Sequence, residues 1–317
     1  VTLIADRELV DAAVALRGVA VRTPLVWFET LGAWLKLESR QPIGAFKVRG
    51  AYNAVRKLSD AARARGVITF SSGNHGQAVA FAAQRFGVRA VIVMPETAPA
   101  VKIDGVKRWG GEVVFAGRTS EDRRLAALEI AAQQGLAVIP PFDHADVVAG
   151  QATVGVEIAE DLPDVATVVV PVGGGGLISG VVRGLAAAGS RARVVGVEPA
   201  GAPKLSRSWA AGRPVTLERT ASVADGLITL SVGAIPFAVL QEHRDRLAGV
   251  VTVEDDSIQD AVHFLHRECG LLVEPSGAAT TAALRTGALQ PYATPPIALV
   301  VSGGNIDPAL LEDRSRP

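Results

Sequence analysis

The sequence predicts an α/β protein of two lobes, each built on a mostly parallel sheet flanked by helices. Three observations carry that class. Short β-branched runs alternate with helical stretches from Val67 onward, the spacing of strand–helix–strand units whose strands pair in parallel. The run Val165–Val172 is almost wholly apolar, as a strand covered on both faces must be. Finally, 317 residues give room for two cores, and the alternation pauses at Pro140-Pro141-Phe142-Asp143, a natural boundary between lobes.

Taken in order, residues 1–22 have helical periodicity, with Leu9, Ala13 and Leu16 on one face and a stop near Gly18. Thr23-Pro24-Leu25 turns into a short strand, and Trp34–Glu38 reads as another. A helix is expected from the Lys47 stretch to about Arg65. Strand Val67–Phe70, helix Gln77–Phe86, strand Arg89–Met94 and helix Pro99–Trp109 follow. Strand Glu112–Phe115, helix Ser120–Gln134 and strand Ala137–Ile139 complete the first series. Beyond the pause come helix Val147–Ala159, strand Val165–Val172, helix Leu177–Ala188 and strand Val194–Glu198. A loop-rich region runs to about Leu247. Strand Val250–Val253, helices Ser257–Cys269 and Gly277–Thr286, and strand Ile297–Val301 close the pattern. Neither an internal repeat nor a low-complexity linker interrupts it.

Composition narrows the function. Hydrophobic residues make up 49% and charged residues 20%, the balance of a soluble globular chain. Lys+Arg and Asp+Glu are 32 each, so no excess charge recommends nucleic acid or an acidic membrane. The single cysteine, Cys269, leaves no intrachain disulfide and no multi-cysteine metal site. No apolar run approaches the ~18 residues of a membrane span, and the N-terminus lacks the pattern of a signal peptide. A cytoplasmic protein is expected.

Four stretches carry chemistry. Gly173-Gly174-Gly175-Gly176 follows an apolar strand and precedes a helix. Such a loop can turn several backbone N–H groups inward at a helix N-terminus, which suits a phosphate better than a mere flexible turn. It is neither a dinucleotide fingerprint nor a P-loop, because Leu177 and Ile178 follow. Ser71-Ser72-Gly73-Asn74-His75-Gly76 gathers hydroxyls, an amide and an imidazole where a strand gives way to a helix. That suits a carboxylate, although a helix cap beside a satisfied histidine would use some of the same residues. Lys47, between Gly44-Ala45-Phe46 and Gly50, is either a surface lysine or an amine kept from water and so made nucleophilic. Ser302-Gly303-Gly304-Asn305 follows the last apolar strand, at the end of an open sheet where ligands bind, though taken alone it reads as a plain turn. His144, His243, His263 and His266 lack metal-ligand spacing, and no Gly-x-Ser-x-Gly elbow occurs.

Together, in this order and over essentially the whole chain, these motifs resemble the fold type II (tryptophan synthase β-like) enzymes that use pyridoxal 5′-phosphate (PLP). More closely, they resemble the threonine/serine dehydratase and serine racemase group. Met94-Pro95-Glu96-Thr97-Ala98-Pro99, Ala149-Gly150-Gln151 and Ala224-Asp225-Gly226-Leu227 support the likeness. The resemblance implies that Lys47 carries PLP as a Schiff base, with Phe46 beside the ring and Asn74 on its 3′ oxygen. Gly173, Gly174, Gly175, Gly176 and Leu177 would cradle the phosphate, and Ser302 would face the pyridine nitrogen. Ser71, Ser72, Asn74 and His75 would surround the substrate carboxylate. A small mobile lobe, 66–143, would close over a large lobe made of 1–65 and 144–317. The implied activity is that of an ammonia-lyase converting L-threonine or L-serine to a 2-oxo acid and ammonia. Lys47 would remove the Cα proton, and the neutral Ser302 would favour elimination over transamination. Relatives are often homodimers.

Three departures qualify the resemblance. The group usually has Thr-Gly-Ser-Phe-Lys, where this chain has Ile43-Gly44-Ala45-Phe46-Lys47. The loss of two hydroxyls keeps other β-substituted serines, such as 3-hydroxyaspartate or a β-aryl serine, among the substrates. Ser72 stands where racemase-like members have a serine that handles the second proton, so an amino-acid racemase is the alternative. Serine racemase-like relatives also bind a divalent cation through a glutamate, a carbonyl four residues on and an acid two further. Here those positions are Glu198, Ala202 and Lys204, so no metal is expected, with the Lys204 ammonium in its place or turned to solvent. The chain also ends about a dozen residues after Asn305, which leaves no expectation of the regulatory domain of biosynthetic threonine dehydratases.

Overall fold

A computed structural model of the chain describes residues 3–71, 73–98, 100–117, 119–307 and 311. Its strands are β1 (Leu25–Phe28), β2 (Ala33–Leu37), β3 (Val67–Phe70), β4 (Ala90–Met94), β5 (Glu112–Phe115) and β6 (Ala137–Val138). They continue with β7 (Thr167–Pro171), β8 (Arg193–Pro199), β9 (Leu247–Val253) and β10 (Ile297–Val301). The helices are α1 (Asp6–Ala15), α2 (Lys47–Arg56), α3 (Asp60–Arg65), α4 (Asn74–Phe86), α5 (Ala100–Arg108) and α6 (Ser120–Gln134). After them come α7 (Ala145–Asp161), α8 (Gly176–Ala187), α9 (Lys204–Ala211), α10 (Ala234–Glu242), α11 (Asp255–Cys269) and α12 (Pro275–Arg285).

Two sheets result. One has the order β1-β2-β10-β7-β8-β9 and the other β5-β4-β3-β6. All neighbours are parallel except the edge pair β1–β2. Every residue of β4, β7 and β10 is buried, which explains why these strands read as almost wholly apolar runs. In the smaller sheet, successive side chains go to opposite faces. Val67 and Ile92 pack with Val48, Val79 and Phe81 beneath α2 and α4, while Ile68, Val91 and Val93 meet Ala127 and Ala131 of α6. The larger sheet is covered likewise. Ile258, Leu265 and Ala279 of α11 and α12 lie on one face, and Ile158, Ile178, Leu185 and Phe237 of α7, α8 and α10 on the other. Each Val, Leu, Ile or Phe among them, once buried, contributes about 1.5–3 kcal/mol, and each Ala less.

Helix α2 packs against both α4 and α7 and so bridges the two sheets. Lys47 is its first residue. The helix expected to run from Lys47 to Arg65 is in fact two, because Ser59 Oγ accepts from Ala62 N (3.2 Å) and caps a fresh helix at Asp60. Helix α4 begins at Asn74 rather than Gln77, which brings the polar turn onto the helix terminus itself. The buried face of α1 is Leu9, Ala12 and Leu16, with Ala13 at its edge. The region expected to be loop-rich contains α9 and α10. Pro236 lies in the first turn of α10, where a missing N–H is harmless, so its presence did not mark a loop. Among the described residues, no helix is long and apolar enough to cross a membrane.

Candidate active site

The Lys47 stretch and the Ser302–Asn305 stretch lie side by side. Phe46 N donates to Ser302 O (3.0 Å), Gly304 N to Gly44 O (2.9 Å), and Ala45 forms a bridge with Gly303. Below them the first turn of α2 is anchored by Arg49, which is 1% exposed. Its guanidinium donates to Glu38 (2.8 Å to each carboxylate oxygen) and to Glu157 (2.6 and 2.8 Å). Lys47 Nζ donates to Pro141 O (2.8 Å) and lies 5.3 Å from the centre of the Phe46 ring. Protein surrounds the amine on most sides, and this desolvation lowers its pKa to about 8 although Glu274 pulls the other way. The lysine is therefore not an ordinary surface residue.

Phe142, next to Pro141, covers the glycine loop. A Cβ on Gly174 would overlap the Phe142 ring, one on Gly176 would come within 3.0 Å of Phe142 Cβ, and one on Gly173 within 2.7 Å of Gly226 O. Gly175 has φ +88°, a conformation that disfavours any side chain. Leu177 is the second residue of α8. Among the described residues, no protein acceptor is paired with the backbone N–H of Gly173, Gly174, Gly175, Gly176 or Leu177. These donors, at the positive end of a 12-residue helix, form a candidate anion cradle whose backbone is packed too closely on its other side to carry a Cβ.

The third stretch faces the same region. Ser71 N donates to Val93 O (3.0 Å), and its Oγ accepts from Gly73 N (3.2 Å). Ser72 lies outside the described residues. Asn74 opens α4, where its Nδ2 donates to Glu274 Oε1 (2.6 Å) and its Oδ1 accepts from Asn305 Nδ2 (2.8 Å). Asn305 Nδ2 also donates to Ile43 O (2.8 Å), so three distant loops share one amide chain. His75 is buried, and desolvation followed by the nearby Lys47 charge lowers its pKa to about 3. Its Nε2 lies 3.0 Å from Ile139 O, an obligate acceptor, so Nε2 carries the proton of the neutral ring. Nδ1 is then an acceptor, and it has no partner among the described residues. The imidazole serves Ile139 through Nε2, and the His75 backbone N–H lies in the first turn of α4. Ser302 is buried behind these groups, with Oγ 3.4 Å from Ser276 O.

Sequence reasoning missed Glu274 and Lys102 and left Asp225 without a role. Glu274 precedes α12, is 5% exposed, and has a pKa raised to about 7 by burial and then by the Asp225 charge. Its one local signal, an acid before a proline at a helix start, says only N-cap. Since its folded pKa lies above its ordinary value of 4.5, Glu274 favours folding below that value, and the benefit is lost as pH rises through about 7. Glu274→Gln is therefore expected to melt progressively higher, relative to the parent, as pH increases from 4.5 to above 7. A pH-independent Tm difference would contradict this assignment. Lys102 Nζ, on α5, contacts the Asp225 carboxylate beside the glycine loop. A Cβ added to Gly73 would stand 3.4 Å from Lys102 Cδ. No cluster of His, Cys, Asp and Glu that could hold a metal occurs among the described residues.

Comparisons with known proteins agree with this geometry. The family profile described as pyridoxal-phosphate dependent enzyme matches residues 16–303. The chain is 38% identical to an L-threonine ammonia-lyase of Thermotoga maritima, over 98% of this chain and 78% of that protein. It is 37% identical to an L-threo-3-hydroxyaspartate ammonia-lyase of Saccharomyces cerevisiae, over 95% of this chain and 93% of that protein. The structure of maize serine racemase superposes with a TM-score of 0.90 at 34% identity, covering 97% of this chain and 95% of the other. With one lysine amine, a glycine cradle and a polar helix start converging on a fold type II scaffold, the chain belongs to the pyridoxal-phosphate-dependent enzyme family.

Proposed function

We propose that the chain is a PLP-dependent ammonia-lyase that converts a β-hydroxy-α-amino acid, L-threonine or L-serine first, to a 2-oxo acid and ammonia. The observation that carries this reading is Lys47, an amine with pKa about 8 held by Pro141 O, the neighbour of the residue that lids the glycine cradle. The similar proteins named above act, by name, on threonine, 3-hydroxyaspartate and serine, all amino acids with a β-hydroxyl. The residues fit the cofactor, because the cradle has no room for a Cβ and its N–H donors have no protein acceptor among the described residues. Lys47 would hold the aldehyde carbon, and Gly173, Gly174, Gly175, Gly176 and Leu177 the phosphate. Asn74 and Ser302 would hold the ring, with Phe46 against it.

When bound, PLP supplies an electron sink for negative charge at the substrate Cα. The chain supplies the rest. Lys47, neutral for a sizeable fraction of the time near pH 8, accepts the Cα proton, and Pro141 O fixes the direction of its Nζ. Ser71, Ser72 and the first N–H groups of α4, those of Asn74 and His75, orient the substrate carboxylate. Ser302, a neutral hydroxyl, does not keep a proton on its partner as a carboxylate would, which favours prompt loss of the β-substituent.

A racemase is the second reading, favoured by Ser72 in the sequence and by the likeness to maize serine racemase. One assay separates the two. The purified protein is incubated with PLP and L-β-hydroxy amino acids, and 2-oxo acid and the enantiomer ratio of remaining substrate are measured together. Oxo acid from threonine or serine is expected. Accumulating D-enantiomer with little oxo acid would favour the racemase, and neither product would sink both readings.

We further assign residues 66–143 to a mobile lobe that closes over substrate against 1–65 and 144–317, with Lys102–Asp225 spanning the cleft. Because Asp225 is partly exposed, the pair adds at most about 1 kcal/mol to stability. Lys102→Met should therefore raise KM several-fold with little change in Tm, and should remove the salt dependence of KM. A KM that rises with salt equally in parent and variant would argue against this latch. The working assembly is a cytoplasmic homodimer with neither nucleic acid nor membrane as partner, the last point supported by the balanced charge.

A further inference from the structure

Lys204 opens α9, and its side chain is wholly shielded from solvent. Its Nζ lies within hydrogen-bond distance of three oxygens: Val172 O (2.9 Å), Ala202 O (2.9 Å) and Glu198 Oε1 (3.2 Å). The lysine does not point to solvent. Two of these atoms are backbone carbonyls and can only accept. If Lys204 were a neutral amine, it would bring two N–H bonds and a lone pair, and the lone pair would face an oxygen. Three acceptors are satisfied together only by an ammonium, even though burial by itself pulls the Lys204 pKa down against the pull of Glu198.

Glu198 is equally buried and fully engaged as a carboxylate. It accepts from Leu205 N (2.7 Å), Ser206 N (2.9 Å) and Ser206 Oγ (2.8 Å), all at the start of α9. An all-oxygen shell with one carboxylate and two carbonyls is the surrounding that proteins give a hard cation. The three oxygens also come from three places. Glu198 is on β8, Ala202 is in the turn before α9, and Val172 immediately precedes Gly173.

We propose that Lys204 is a built-in cation. Its ammonium fills an oxygen cage and, through Val172 O, sets where the glycine loop begins, so the chain needs no inorganic ion at this place. Lys204 is a positioning residue and touches neither substrate nor cofactor. The loop-setting half rests on the reading of Gly173–Leu177 as the phosphate cradle, whereas the cage itself does not.

Chemical rescue tests both halves. Lys204→Ala leaves the three oxygens around a space the size of a small amine, and its Tm is expected to fall by roughly 5–10 °C. Ammonium chloride should recover about half of that fall, and with it PLP binding followed by absorbance, whereas equal sodium or tetramethylammonium chloride should not. Lys204→Met, which fills the space without charge, should fall similarly and gain nothing from ammonium. Parent protein should melt alike in all three salts and be indifferent to EDTA. Equal Tm of Lys204→Ala in ammonium and tetramethylammonium would overturn the cage. So would a parent Tm that EDTA lowers and Mg²⁺ restores. Rescue of Tm without rescue of PLP binding would overturn the loop-setting half alone. Should Lys204→Ala not fold, Lys204→Met set against the parent carries the test, and a Lys204→Met variant that melts no lower than the parent would overturn the proposal.

Discussion

Lys47→Ala is expected to lower kcat by at least roughly 10³-fold, since it removes both the proposed covalent anchor and the proposed general base. The same change should abolish the absorbance near ~410–420 nm expected of a Schiff-base lysine. Retained turnover in Lys47→Ala would remove the foundation of the functional reading. A pH experiment on the parent is more discriminating, because it reads the environment of the amine. Only the neutral amine attacks an aldehyde. With a pKa of about 8, about one-tenth of Lys47 is neutral at pH 7 and about nine-tenths at pH 9. Recombination of the cofactor-free protein with PLP should therefore speed up through pH 8 and level off above it. An ordinary lysine would still be accelerating at pH 10. Stability should carry the matching signature. The folded pKa is depressed below the ordinary 10.5, so the unfolded chain binds more protons in between, and stability rises with pH from about 8 to 10.5. Lys47→Met should flatten that rise, with native circular dichroism showing that the fold is intact.

How far the sequence reaches depends on the range of the interactions involved. The interior strands were legible because burial on both faces requires a nearly unbroken apolar run, as in Val168–Pro171 of β7 and Ile297–Val301. The glycine loop stood out because four adjacent glycines between a strand and a helix have few other uses. Pairings were not. That Phe46 N meets Ser302 O, or that Asn74 joins Glu274 to Asn305, is decided by strand order, which local pattern does not encode. Glu274 is one of 32 acids, and only its burial beside Asn74 and Asp225 separates it from the others. His75 was legible as part of the polar turn, but that its ring Nε2 meets Ile139 O was not, because that carbonyl lies 64 residues away. Helix α10 was hidden by prolines and glycines that punctuate most chains but here fall at a helix start. Lys204 lies between these cases. Its position stood out from the family pattern, yet the third oxygen, Val172 O, belongs to a strand end that sequence spacing cannot bring to it.

Gly174→Ala should have the next largest effect, with a cause confined to one contact. The new Cβ overlaps the Phe142 ring, so either the loop or the ring must move. Overpacking of this kind amounts to about 1–3 kcal/mol. Charged entirely to cofactor binding, that is roughly a 5- to 150-fold loss of PLP affinity. The displacement has a second consequence, because Phe142 follows Pro141, whose carbonyl directs Lys47. One methyl group in the cradle thus reaches the amine through two consecutive residues, and kcat should fall together with affinity. Gly175→Ala provides the comparison. Its penalty is the backbone strain of φ +88°, about 1–2 kcal/mol, with a tight approach of 3.1 Å to Pro236 Cβ and no dependence on Phe142. Adding Phe142→Ala should therefore restore much of the PLP affinity lost in Gly174→Ala and none of that lost in Gly175→Ala, as titration of the absorbance band would read. If Phe142→Ala rescued both variants or neither, the ring would not be the lid of the cradle. The link from phosphate loop to lysine through Pro141 and Phe142 would then fail with it.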